Sequence, residues 1–435
     1  MTFNQVDYKV IFYRETDFKD TEIGRIPREW DVEKLGDIAN VVAGYSFPLE
    51  FQGKSSGRYP FIKVGDMNKS RKYLSSADNY VDEEDLKALK AKPFPKGTII
   101  FPKIGMAMKL NKFRILDVEA LFDNNIAGII VNKAIVDSEF LYYYLLGKVN
   151  LMSLAGATTV PSITKTRLKQ ILISIPPFEE QSGIAKVLST IDRAIEVETA
   201  RIEKLERLKR GLMELLLTGK VRVREENGKL TFYRETQLQE TSIGKIPKEW
   251  KVIKLGEIVE VFDNKRIPLS ERERANKKGP FPYCGANGII DYIDDYIFDG
   301  EYVLLAEDGG YYGPFEKSAY LMNGKFWANN HVHVLKAKEG IADNRFLVYM
   351  LNFLDLRPYL VGSTRAKLNQ KDMGRIILPL PLLEEQLMIA EVLSTIDHYI
   401  EVNERQVKKL ERLKRGLMEL LLTGKVRVMV DDSGT

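Results

Sequence analysis

The stretch LERLKRGLMELLLTGKVRV stands at residues 205–223 and again at 410–428, identical at all 19 positions. A repeat of that fidelity obliges one chain to build the same local structure twice. The repetition extends outward on both sides. Residues 180–223 match 385–428 at 33 of 44 positions, and residues 12–41 match 232–261 at 18 of 30. The chain is therefore two units, roughly 12–223 and 232–428, whose ends agree. Their middles do not: GYSFPLEFQGKSSGRYPFIKVGDMNKSRKY has no clear counterpart in FDNKRIPLSERERANKKGPFPYCGANGIID. Such a pattern suits a common frame carrying two different heads. Drift of loop-rich segments would leave the same trace.

The shared tail reads as a long helix. EEQSGIAKVLSTIDRAIEVETARIEKLERLKRGLMELLLTG contains no proline. Apolar residues recur at alternating steps of four and three: Ile184, Leu188, Ile191, Ile195, Ile202, Leu205, Leu212 and Leu216, then Ile389, Leu393, Ile396, Ile400, Val407, Leu410, Leu417 and Leu421. A mean repeat of about 3.5 residues predicts a coiled coil. Gly219 and Gly424 end the two helices. A single helix cannot bury so narrow a seam, so the two are expected to pair with each other, and an antiparallel pair is the working expectation. Polar breaks at Glu198, Lys209, Asn403 and Lys414 help select the alignment. Antiparallel pairing is expected to bring Glu198 and Asn403 each near the lysine of the other helix.

The middles look α+β. Strand-like runs are YPFIKVGDM, GTIIFPKIG, IAGIIVN and QILISIPP in the first, and GEYVLLAEDG, FWANNHVHVLKA and GRIILPLPLL in the second, separated by Gly, Pro and Asn. SEFLYYYLLGKVN and NRFLVYMLNFLD read as short helices with core-facing stripes. At 44% apolar and 29% charged residues the chain is of the globular class. No apolar run approaches the ~20 residues of a membrane helix, and MTFNQVDYKVIFYRETDFKD lacks the apolar core of a secretion signal. The lone cysteine, Cys284, excludes an intrachain disulfide and fits a reducing cytoplasm.

Catalytic motifs fail on inspection. QGKSSG would need glycine at position 48 to be a phosphate loop, and Pro48 stands there. SIPPF lacks the polar residue that an amino-methylating site needs, since Ile175 fills the slot. His331 and His333 alternate on a predicted strand, but no acid or thiol evidently joins them into a metal site, and the first unit has no histidine. No catalytic or metal-binding residue is assigned.

Charge is more informative in its distribution than in its net value of +4. Lys54, Arg58, Lys63, Lys69, Arg71 and Lys72 cluster against one acid, Asp66. Lys96, Lys103, Lys109, Lys112 and Arg114 follow with none, and Lys265, Arg266, Arg272, Arg274, Lys277 and Lys278 form a third patch against Glu271 and Glu273. Basic patches on a nearly neutral chain suit a polyanion held at particular faces; they also suit solvated loops.

Two diverged middles, each closed by P-x-x-E-E-Q…I-A…L-S-T-I-D (Pro176 to Asp192, Pro381 to Asp397) and preceded by IGRIPREW or IGKIPKEW, resemble the specificity subunit of type I restriction-modification enzymes. The echoes FDNNIAGII (122–130), WANNHVHVL (327–335) and GSTRAKLNQKDM (362–373) add to the resemblance, which spans nearly the whole chain. It implies target recognition domains at 1–178 and 220–383, coiled-coil helices at 179–219 and 384–424, and a tail at 425–435. Each domain would read half of a bipartite, asymmetric double-stranded DNA target. The helices would fix the spacer and dock two modification (methyltransferase) subunits, with restriction (translocase/nuclease) subunits joining that core. The chain itself would be non-catalytic and hold no cofactor, its partners using S-adenosylmethionine, ATP and magnesium. The basic residues just named would hold phosphates, Lys96 left aside. Asn124, Asn125, Asn329 and Asn330 have the amide chemistry of adenine readers, and Ser363, Thr364 and Arg365 form a polar loop suited to a groove. The asparagines suit turn hydrogen bonds equally. Candidate docking residues are Lys204, Glu206, Arg207 and Arg210 with Lys409, Glu411, Arg412 and Arg415. A DNA-binding scaffold or regulator without restriction-modification partners would share these features.

Overall fold

The computed structural model describes residues 9–156, 159–362 and 366–431. It forms two compact units, one holding the chain up to Val197 and again from Val407, the other Glu198–Gln406. The architecture is α+β in each. The first long helix spans Phe178–Leu217 and the second Leu383–Leu421. Each follows a proline-ended strand and carries two glutamates in its first turn, where the helix dipole favours them. Each ends at a glycine with positive φ, +70° at Gly219 and +66° at Gly424. A side chain there would also collide with a neighbour: a Cβ would stand 2.4 Å from the Pro247 ring at Gly219 and 2.2 Å from Pro27 at Gly424.

The long helices pack as an antiparallel coiled coil. In the first unit Ile184 and Leu188 share a core with Met418, Leu421 and Leu422, and Asp192 meets Lys414. In the second, Leu216 and Leu217 share a core with Ile389 and Leu393, and Lys209 meets Asp397. Rising numbers on one helix thus face falling numbers on the other. The seam is unevenly covered. Ile184, Leu188, Ile191, Ile195, Leu216, Ile389, Leu393, Ile396 and Leu421 are buried, whereas Ile202, Leu205, Leu212, Ile400, Val407, Leu410 and Leu417 are half-buried. Among the half-buried positions Leu212 and Leu417 still pack against the domain cores. The polar breaks pair otherwise than expected. Lys414 Nζ lies 2.6 Å from Asp192 and Lys209 Nζ 2.6 Å from Asp397. Glu198 instead pairs with Arg201 at 3.1 Å on its own helix, and Arg201 donates to Asn403 Oδ1 at 3.4 Å. The lysines choose aspartates that a domain tyrosine also bonds, so the half-buried charge is satisfied from two sides.

Each unit has one main sheet. In the first, the strand order is Ala39–Ala43, Ile126–Val131, Ile99–Pro102, Arg114–Leu116 and Tyr73–Leu74. In the second it is Val259–Val261, Val332–Ala337, Phe298–Ala306, Ala319–Ala328, Lys278–Gly285 and Gly288–Ile293. The first three strands of each sheet correspond and run antiparallel throughout. The common frame therefore reaches into segments whose sequences had separated, because an apolar strand needs only its alternation preserved and not its letters. The correspondence continues outward, with the third and fourth strands antiparallel and the fourth and fifth parallel in both sheets, and the second sheet adds Gly288–Ile293 as a sixth strand. The helices Ser138–Lys148 and Asn344–Phe353 lie in the main cores through Phe140, Tyr143 and Leu145, and through Phe346, Leu347 and Met350.

Candidate nucleic-acid interface

The matching ends of the two units build one cluster twice. In the first unit, Arg427 donates Nε and an Nη to the two oxygens of Glu180 at 2.7 and 2.8 Å, reaches Glu29 at 3.0 Å and pairs with Glu15. Trp30 Nε1 donates to Glu180 at 3.0 Å. In the second unit, Arg222 makes the same bidentate contact with Glu385 at 2.7 and 2.8 Å, meets Glu235 at 2.8 Å and Glu249 at 2.9 Å, and Trp250 donates to Glu385 at 2.9 Å. Gln181 and Gln386 each donate to two carbonyls and accept an N–H, tying the helix start to the loop before the short helix. The letters IPREW, EEQ and KVRV are thus retained together because they are pieces of one buried charge cluster.

A second motif is also doubled. Asp192 accepts from the Tyr143 hydroxyl at 2.6 Å and from Lys414 at 2.6 Å. Asp397 accepts from Tyr349 at 2.7 Å and Lys209 at 2.6 Å. Burial and the adjacent aspartate push both tyrosine hydroxyls well above their ordinary range, so they stay protonated donors. The aspartate of LSTID is the joint between short helix, first long helix and second long helix.

With the frame accounted for, the diverged loops gather at one end of each sheet. In the first unit, the stretch after Ile99–Pro102, the turn before Ile126 and the loop ahead of Ile163 meet: Lys103 N–H donates to the Asn125 carbonyl at 2.9 Å, Ile163 N–H to the Lys103 carbonyl at 2.9 Å, and Ile104 bridges Ser162. Met106, Leu110 and Val160 stand exposed around this junction. In the second unit the equivalent segments meet again. Glu307 N–H donates to the His331 carbonyl at 2.9 Å, Leu368 N–H to the Glu307 carbonyl at 2.8 Å, and Asp308 bridges Lys367. Asn124 and Asn125 occupy the first junction, exposed; Asn329, buried, and Asn330, exposed, occupy the second.

The basic residues sort by environment. Lys72 is only 3% exposed and is committed to Glu139 at 2.8 Å and the Tyr143 hydroxyl at 3.0 Å. Arg114 is buried, donating to the Met67 and Phe113 carbonyls at 3.0 and 2.6 Å, and burial lowers its pKa. Arg266 is held by Glu307 and the Val332 carbonyl, both at 2.8 Å. These three support the fold. Lys54, Arg58 and Lys69 lie at the surface in ion pairs with Asp85, Glu83 and Asp78, and Arg71 with Glu411. Lys63 and Lys112 are half-buried against Gln52 and Asn68. Lys103 is half-buried and Lys109 exposed beside the first junction. Arg274, Lys277 and Lys278 pair with Asp291, Asp294 and Asp291, while Lys265 and Arg272 are exposed. Exposed ion pairs are weak and exchange readily for phosphate. Ser363, Thr364 and Arg365 lie outside the described residues. The histidines do find acids: His333 Nδ1 sits 2.6 Å from Asp263 with Nε2 at the Leu368 carbonyl, and His331 Nδ1 lies 2.5 Å from Asp308. These carboxylates are separate, and among the described residues no His/Cys/Asp/Glu group is arranged to hold a metal ion.

Residues 27–207 and 247–412 match the sequence profile of the family described as the type I restriction modification DNA specificity domain. The chain belongs to that family. As a specificity subunit it recognises DNA and is not itself an enzyme. It is 28% identical over 431 residues to the putative type I restriction enzyme MjaX specificity subunit of Methanocaldococcus jannaschii, covering 96% of this chain and 98% of that one. Over 155 residues it is 41% identical to a putative specificity subunit of Haemophilus influenzae, S.HindORF215P, spanning 34% of this chain and 37% of that one. Its fold is similar to the crystal structure of the type I system S subunit from M. genitalium, with a TM-score of 0.60 at 17% identity over 90% of this chain and 96% of that one. For this specificity subunit, sequence reasoning missed the charge clusters at Arg222 and Arg427, although the pairing of invariant-looking EEQ and VRV between repeats was a usable signal. No helix among its described residues is long and apolar enough to cross a membrane.

Proposed function

We propose that each unit reads one half of a split double-stranded DNA target through its loop junction. The observation that carries this is the contrast within one chain: two clusters of matched geometry hold two unlike loop sets at equivalent places. Phosphates are held by the surface cations Lys54, Arg58, Lys69, Arg71, Lys109, Lys265, Arg272, Lys277 and Lys278; the ion pairs of Arg58, Arg71 and Lys277 are exposed on both sides and exchange most readily, whereas Lys54 and Lys69 also hold the little-exposed Asp85 and Asp66. Lys63, Lys103, Lys112 and Arg274 stand at the margins of those patches, and Asn124, Asn125, Asn329 and Asn330 supply amides at the junctions.

The coiled coil sets the gap between half-sites and docks two modification subunits, with restriction subunits completing the assembly. The exposed, identical residues Lys204, Glu206, Arg207 and Arg210, and Lys409, Glu411, Arg412 and Arg415, suit two copies of one partner. S-adenosylmethionine, ATP and magnesium belong to those partners. The DNA target and the buried single thiol of Cys284 support a cytoplasmic protein. Exchanging residues 42–170 for the middle of another such subunit tests the two-head reading. Mapping of methylated sites in cells carrying the partners should show one half of the target changed and the other kept; a change in both halves refutes it. Lengthening each long helix by four residues adds ~6 Å, about two base pairs of DNA. An unchanged gap would refute the ruler.

A further inference from the structure

Resting on that reading, we propose that an open cleft at the second junction is the pocket that reads an adenine edge in the second half-site, with Asn287, Asn329 and His331 as its specificity-determining residues. The cleft, about 330 Å³, lies between the turn 286–290, the turn at Asp308–Gly309 and the turn Asn329–His331. Three turns from different strands converge there, each fixed by its own hydrogen bonds, so the polar groups at its mouth are preorganised.

The donors and acceptors can be followed atom by atom. Asn329 is 5% exposed, and its Oδ1 accepts the backbone N–H of His331 at 2.9 Å. That leaves its amide Nδ2 as the donor side. Asn287 is turned the other way: its Nδ2 donates to the Gly309 carbonyl at 2.9 Å, leaving Oδ1 as an acceptor. An adenine presents one donor and one acceptor in the major groove, N6–H and N7, and the pair of amides supplies the complement. His331 lines the same cleft, with Nδ1 fixed on Asp308 at 2.5 Å, which leaves Nε2 as its second ring nitrogen. Asp308 would otherwise repel DNA. It is 2% exposed and covered by His331 on one oxygen and by Lys367 Nζ at 3.2 Å on the other, so its charge is masked from the cleft. Ile289 and Ile290 form an exposed apolar lip on the same turn as Asn287, suited to the methyl group of the paired thymine. The first unit has no histidine, so this chemistry belongs to one half-site alone.

The test is selection from random-sequence duplexes by the full chain, comparing wild type with Asn287→Ala, Asn329→Asp and His331→Ala. Asn329→Asp keeps the oxygen that holds the turn, replaces the donor by an acceptor and adds a negative charge, so it is read by the change in sequence pattern and not by affinity alone. Wild type should enrich a two-part sequence. The variants should lose discrimination at an A·T position in one part by roughly tenfold, with the other part unchanged. Unchanged preference in all three variants, or a uniform loss of affinity with the sequence pattern intact, would overturn the cleft and leave the two-head reading standing. Failure of wild type to enrich any two-part sequence would overturn both. Asn287 is exposed and holds no other side chain, so its variant remains informative if Asn329→Asp does not fold.

Discussion

Replacing Arg427 by methionine isolates the charge cluster of the first unit. The guanidinium is 4% exposed and Glu180 5%. Glu29 is 71% exposed, so its pair with Arg427 contributes little. Glu15, 12% exposed, also loses this partner but keeps the Thr16 and Asp17 N–H groups, so the main loss is that of the buried bidentate pair: a carboxylate left charged in a dry site, about 3–5 kcal/mol. Glu180 keeps the Trp30 indole N–H at 3.0 Å and the Val428 N–H at 3.3 Å, which puts the expected cost near the lower end. A loss of ~3 kcal/mol is a little over two decades in an opening equilibrium, at about 1.36 kcal/mol per decade. Native-state hydrogen exchange on the full chain reads it. Protection of Phe12–Arg14 and Val426–Val428 should fall roughly a hundredfold, while strands Val221–Glu226 and Lys229–Arg234 of the second unit keep theirs. Arg427→Met with Glu180→Gln should recover much of the loss, because the stranded charge goes with its partner. A change below about fivefold, or an equal fall in both units, would refute the reasoning.

Three further outcomes are expected. A double-mutant cycle on Asp192→Asn and Lys414→Met should give a coupling of about 0.5–3 kcal/mol by denaturant unfolding, and Asp397 with Lys209 should give a similar value. Leu188→Ala, at a fully buried seam position, should cost about 2–5 kcal/mol, whereas Leu205→Ala, half-buried, should cost clearly less; equal costs would show that the seam is uniformly covered. Glu15 is held below its ordinary value of 4.5 by the Asp17 N–H, with Arg427 adding to it; for Glu235, burial pulls the other way but the Gln237 N–H and Arg222 outweigh it. Depressed folded values mean stabilisation that is present above the unfolded value and lost as pH falls through the folded one. Acid titration of unfolding should show a falling limb below about pH 4.5 that flattens in Glu15→Gln with Glu235→Gln; an identical limb in the variant contradicts the assignment.

The long helices were legible because periodicity over five heptads outweighs local noise, and the glycine stops because positive φ is written in the residue itself. The strands around Ile99, Ile126, Phe298 and Val332 were legible as apolar runs. Their shared order was not, since strand neighbours are chosen by tertiary packing and not by nearest sequence. The basic patches were legible as composition only. Spacing along a loop does not tell Lys72, folded inward onto Glu139 and Tyr143, from Lys69 three residues before it at the surface. The pairing of Lys414 was misplaced for a similar reason. Heptad letters locate a lysine on a helix face, but Asp192 wins it because Tyr143 approaches from outside the coil.

The hairpin Val221–Glu226 with Lys229–Arg234 is joined by Asn227 and Gly228, both at positive φ, as a tight two-residue turn demands. The first unit contains the same ladder, Val426 opposite Arg14 through Asp431 opposite Lys9, drawn from the far ends of the described chain. The two ladders are equivalent pairings, one joined by a two-residue turn and the other formed by segments distant in the chain. An Asn-Gly link from Asp431 to Lys9, with a new opening between Asn227 and Gly228, would keep every strand pair described here and reverse which head is synthesised first. The strand pairs that hold the two heads thus do not depend on which head comes first along the chain.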